Sequence, residues 1–150
     1  MRVRPGVMEV RATYHFAVKT RQQLGAVISY PFFVDSANRY PDSVDIVGHE
    51  FTPNDTAVTF VMHFSPGGED SFSAYYRQPL EAECARYIVT STRRWQEPID
   101  TARFRITVPV EFDDVDLSYR PDSVVWRESL VDYYFTQRRF WPDRDVIVTW

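Results

Sequence analysis

The chain has 150 residues and a formal net charge of −4, with a sequence pI near 5.3. It therefore lacks the overall positive field that supplies most non-specific affinity for phosphate backbones, and nucleic acid is set aside as a partner. Hydrophobic residues at 44% and charged residues at 25% match a globular chain, not a disordered one, and the length suits one domain over residues 1–150.

The aromatic share of 16% favours sheet, because aromatic side chains fit a pleated, half-buried surface better than a helix. Ten prolines, at 5, 31, 41, 53, 66, 79, 98, 109, 121 and 142, remove ladder donors and break helix interiors, so long helices have little room. The start, MRVRPGVMEV, has no apolar signal-peptide region. No stretch reaches the roughly 18 apolar residues that span a bilayer. The expectation is a soluble chain, attached to a membrane only through parts outside it.

In chain order, the first strand is read from ATYHFAV, where Tyr14, Phe16 and Val18 share a face. Strands over 26–34 and 44–47 follow, then a turn in EFTPND. The run AVTFVMHF places Val58, Phe60, Met62 and Phe64 on one face. After the turn SPGGED, a strand spans 71–77.

The segment 78–88 reads two ways: Pro79 suits a first helical turn, with Leu80, Cys84, Tyr87 and Ile88 at helical spacing. The preferred reading is a turn or one short helical turn near Leu80–Cys84, leading into a strand over 87–91. Thr92 to Arg94 is then a turn, with Pro98 a stop before the next strand. In TARFRITVP, Phe104, Ile106 and Val108 point inward while Arg103, Arg105 and Thr107 point to water. Further strands are read at 115–119, 124–127, 130–136 and 146–150. Nine to eleven short strands at this spacing define an all-β chain, an antiparallel β-sandwich.

Candidate sites are few. Neighbours on a strand point to opposite faces, so Tyr75-Tyr76 and Tyr133-Tyr134 each send one ring out of the core. Tyr75 and Tyr134 could thus offer an aromatic platform to a glycan or protein, since tyrosine combines contact area with little entropy to lose. Arg93 and Arg94 would sit on a turn beside Trp95, and Arg138-Arg139 beside Trp141, in positions where a guanidinium stacks on a ring. Only one of the 17 basic residues, Lys19, is lysine.

In EFDDVD, Glu111, Asp113, Asp114 and Asp116 are hard oxygen ligands, but the spacing is wrong for a calcium loop and its glycine is missing, so a solvated loop is expected and no metal. The lone Cys84 excludes an intrachain disulfide and a multi-thiolate zinc site, and His15, His49 and His63 are scattered. There is no G-x-S-x-G elbow, no H-E-x-x-H and no phosphate-cradling glycine loop. No cofactor is expected, and an enzyme is disfavoured.

The series Tyr87, Thr90, Trp95, Pro98, Ile99, followed by ARFRITVP, resembles a motif of uncharacterised bacterial extracytoplasmic (cell-envelope) β-sandwich domains. EVRATYHFAV running to YPF at Tyr30–Phe32, and the closing YYFTQRRFWPDRDVIVTW, are similar to pieces of the same domains. Ser91 and Thr92 stand where that family's turn has glycine. The resemblance implies an extracytoplasmic place, a sandwich and no catalytic residue. The reading is thus a non-enzymatic interaction or structural module of a bacterial surface protein. A carbohydrate-binding module using Trp95, Trp126, Trp141 and the tyrosines is the alternative, and a small hydrolase the third.

Overall fold

A computed structural model describes residues 1–19 and 21–150. Among the described residues the chain is all-β, with thirteen strands and one six-residue 3-10 helix, Thr90–Trp95. The first half holds β1 (Arg2–Arg4), β2 (Val7–Ala17), β3 (Leu24–Pro31), β4 (Ser43–Ile46), β5 (Phe51–Pro53), β6 (Ala57–Phe64) and β7 (Glu69–Pro79). The second holds β8 (Cys84–Tyr87), β9 (Ile99–Pro109), β10 (Asp116–Leu117), β11 (Ser123–Trp126), β12 (Leu130–Phe140) and β13 (Val146–Thr149).

The large sheet has seven strands in the order β11-β12-β9-β1-β2-β7-β4; smaller sheets run β3-β6-β5 and β10-β13-β8. Pairing is antiparallel except where β1 lies parallel to β9, Arg2 opposite Thr107, so the large sheet is mixed where an antiparallel one was expected. The hairpin Arg4-Pro5-Gly6-Val7 explains this, because Pro5 presets its turn and Gly6 takes φ +72°. That turn fixes β1 antiparallel to β2. The other edge of β1 is met by a strand from far along the chain, whose direction no tight turn dictates.

Period two sets the faces. Val58, Phe60, Met62 and Phe64 are all buried, as expected, and Ile106 and Val108 are buried while Phe104, partly buried, packs against the core. Thr107, expected in water, is instead buried, because β1 lies over that edge and its hydroxyl donates to Asp132 at 2.6 Å. Two strands were not foreseen: β1, three residues too short to show a period, and β5, which carries Pro53 inside the presumed turn EFTPND. Proline is tolerated there because β5 is the edge of its sheet.

The short helical turn expected near Leu80–Cys84 is a bend: Leu80 bridges to Asn38, and β8 starts at Cys84. The strand expected over 87–91 ends at Tyr87, and the 3-10 helix follows. Asp145 diverts the chain. Its carboxylate accepts the backbone N–H of Val89 (3.1 Å) and of Thr90 (3.0 Å), the Thr90 hydroxyl (2.7 Å) and the Arg86 Nε (2.9 Å), taking backbone donors a strand ladder would use. The Thr92 hydroxyl then donates to the Val89 carbonyl at 2.7 Å, and Gln96 ends the helix at φ +60°.

Aromatic contacts join the sheets. Tyr14 of β2 stacks on Phe72 of β7 at 4.7 Å, while Tyr30 of β3 and Phe60 of β6 meet Phe72 edge-on. Tyr87 of β8 reaches across so that its hydroxyl and that of Tyr14 lie 2.6 Å apart.

Candidate functional site

β1 gives out before its neighbours do. β2 pairs with β1 over Val7–Glu9 only, but with β7 along its whole length. β9 meets β1 only at Thr107, yet pairs with β12 from Ile99 to Pro109. Beyond Met1 the two strands run on, and among the described residues no strand lies between them.

Between them lies a cavity of about 270 Å³. Arg11, Thr13 and His15 line it together with Ala12, Tyr14 and Phe16, and Thr101, Arg103 and Arg105 together with Ala102 and Phe104. Neighbouring residues with side chains on opposite faces can all border one cavity only if it is a slot between strand edges.

The bonding pattern shows which backbone groups face it. The Met1 nitrogen donates to the Arg105 carbonyl at 2.8 Å, and the Thr107 N–H donates to the Met1 carbonyl at 2.9 Å. Odd-numbered residues of β9 therefore point their N–H and C=O at β1, and by alternation Thr101, Arg103 and the Arg105 N–H point into the slot. Met1 bonds toward β9, so Arg2 bonds toward β2 and its partner Glu9 back toward Arg2. Arg11, Thr13 and His15 then face the slot. The Val18 N–H, on the even set, goes the other way, to the Gly68 carbonyl at 2.9 Å.

On the inner side the slot is apolar and closed by the 3-10 helix. Trp95, 45% exposed, lies edge-on to Tyr14 at 6.3 Å and to Phe16 at 5.6 Å. Burial, reinforced by the contact with Tyr87, pushes the pKa of the Tyr14 hydroxyl well above its usual range, and burial raises that of Tyr87, against the opposing effect of its hydrogen bond with Tyr14. The floor is thus a neutral hydroxyl pair within apolar walls.

On the outer face the slot opens into a shallow basin of about 720 Å³, where Arg2, Arg11, Arg103 and Arg105 gather around Tyr75. Among the described residues the ion pairs at this mouth are Arg4–Glu9 at 2.7 Å and Arg105–Asp132 at 2.9 Å; Arg11 and Arg103 take part in none. Asp132 is fully buried and accepts from Arg105, from Thr107 and from the Arg127 Nε at 2.7 Å. Desolvation alone would push its pKa up, but the hydrogen bonds from Arg105, Thr107 and Arg127 outweigh it and hold the carboxyl well below the usual range. No carboxylate or thiol belongs to the described lining of the slot. What it presents is hydrogen-bonding backbone, apolar walls and cationic side chains.

The sequence-read residues fall around this slot in part. Tyr75 sits in the basin with the Arg11 guanidinium over its ring at 5.4 Å, and its neighbour Tyr76 is buried. Tyr134 is on the outer face under Arg105 at 5.8 Å, while Tyr133 packs against the core. Trp95 walls the slot. Arg93 reaches over Trp141 at 5.8 Å, where Arg138-Arg139 had been expected to sit. Arg94 is exposed on the helix. Asp113 and Asp114 are exposed in a loop and Asp116 is exposed on β10.

The residues that sequence reading missed as a site are Arg11, Ala12, Ala102 and Arg103. Their alternation was visible; that β2 and β9 face one another was not. No family model matches the chain, and no curated protein or solved structure matches it.

Proposed function

We propose that this chain is a non-enzymatic β-sandwich module of a bacterial extracytoplasmic surface or envelope protein, and that it binds a protein partner at the β2/β9 slot. The observation that carries this reading is the pair of strand edges held open across a cavity, with backbone donors and acceptors on both sides. Such edges attract another chain unless they are covered. The sandwich is supported by the aromatic contacts of Tyr30 and Phe60 with Phe72, and the location by the resemblance of the Tyr87–Ile99 motif. No helix among the described residues is long and apolar enough to cross a membrane.

The exposed aromatics favour a protein over a glycan. Arg11, Arg105 and Arg93 stand over the rings of Tyr75, Tyr134 and Trp141, on faces that a sugar would need for stacking. The test is a photo-crosslinking amino acid placed at position 95 in the cells that make the protein. A discrete polypeptide adduct is expected there and none from position 55, an exposed loop site. Quenching of Trp95 fluorescence by polysaccharides, with no polypeptide adduct, would replace this reading with carbohydrate binding. Turnover of ester or phosphate substrates would replace it with hydrolysis.

A further inference from the structure

We infer that the occupant of the slot is an extended segment of a partner polypeptide that continues the line of β1, with apolar residues facing inward and acidic residues facing outward. The inference rests on the protein-binding reading above and gives it a geometry.

The direction follows from Met1. It already bonds to Arg105 and Thr107 in the manner of a parallel ladder, so a strand entering ahead of it would run parallel to β9 and antiparallel to β2. Its odd-set partners would be the N–H and C=O groups of Arg11, Thr13 and His15 on one side and of Thr101 and Arg103 on the other. The stretch Arg11–Ala17 sets its length at about seven residues, since paired strands advance together.

The side-chain pattern follows from the two faces. Inward positions lie beside Ala12 and Ala102, whose single methyl groups leave the room that makes up the 270 Å³ cavity. The walls there are Tyr14, Phe104 and Trp95, so small or medium apolar side chains fit. Outward positions emerge between Arg11 and Arg103, two exposed guanidinium groups with no carboxylate partner among the described residues. Opposite charges directly across a ladder stabilise, and like charges oppose pairing. Aspartate or glutamate at those positions completes the match.

The probes are three capped synthetic octapeptides, alternating Val-Glu, Val-Lys and Ser-Glu, titrated into isotope-labelled protein with amide hydrogen exchange read by residue. The Val-Glu peptide should slow exchange at the amides of Arg11, Thr13, His15, Thr101, Arg103 and Arg105 and leave the β3-β6-β5 sheet unchanged. The double variant Arg11→Glu/Arg103→Glu should bind it roughly tenfold more weakly and take the Val-Lys peptide instead. Thr101→Pro, which removes a slot-facing N–H without touching the β9–β12 ladder, should weaken binding about fivefold. The protection map of the unsubstituted protein is read first, so the inference is tested even if a variant misfolds.

Absence of protection at those six amides with any peptide, or equal protection by all three, overturns the inference. So does protection that appears without peptide as the protein dimerises, which would make the occupant a second copy. If the slot stays unprotected while position 95 still yields a polypeptide adduct, the inference falls and the protein-binding reading stands. If both are negative, both fall.

Discussion

The two halves of the β2/β9 pair are made of the same strands and differ by three residues of β1. In the filled half, Arg2 lies between Thr107 and Glu9, Val3 has no exposed surface, and Asp132 ties β9, β12 and the arginine of β11's following turn together. In the open half, the inner side chains Tyr14, Phe16 and Phe104 are only half-buried, and Trp95 leans against the gap from a helix. Completion of a ladder is thus a local property. A strand can be core at one end and docking surface at the other, with no change in its alternating pattern.

The filled half depends most on Asp132. Replacing it by alanine leaves Arg105, Arg127 and Thr107 without their shared acceptor, and urea unfolding should register a loss of about 3 kcal/mol, moderated because both arginines are about half exposed. Val3→Ala comes next. Removing two fully buried methyl groups should cost about 2 kcal/mol, and exchange at the Glu9 and Thr107 amides should quicken to match that of Thr13 and Arg103. Equal protection of the two halves in the parent protein would sink the distinction itself.

On the helix side a second buried carboxylate, Asp145, holds the open half in place. Desolvation alone would push its pKa up, yet the hydrogen bonds from Thr90, Arg86 and Val89 hold it below the usual carboxyl value, as the donors around Asp132 do there. A carboxyl depressed in the folded state contributes stability above its unfolded value near 4 that is lost as pH falls through the folded value. The protein should therefore weaken in acid below about pH 4. Asp145→Asn should cost about 1.5 kcal/mol at neutral pH and make the acid slope shallower in a pH series of thermal melts. The smallest effect belongs to Trp95→Ala, at about 0.5–1 kcal/mol in the same melts for a half-exposed ring with edge contacts.

Much of the fold could be read from side-chain alternation. Val58 to Phe64 and Phe104 to Val108 announce their faces because each has one dry and one wet side, and Gly67 at φ +61° marks the turn between β6 and β7. What escaped reading depends on partners distant in the chain. The 3-10 helix forms because Asp145, 55 residues beyond Thr90, captures its first donors. Thr107 looks like a surface residue until β1 lies beside it, and RVR is too short to show any period. The slot escaped for the same reason: Arg11 and Arg103 acquire a shared role only through strand order.

The parallel seat of β1 carries a last consequence, for the order of assembly. Residues 2–4 are tied to β2 by a two-residue turn, but the β9 edge they also meet lies more than a hundred positions later, and pairings so distant along a chain are the slow ones to close. The β1–β2 hairpin therefore forms ahead of the β9 contact, and the filled end of the groove closes only when that distant strand docks against it.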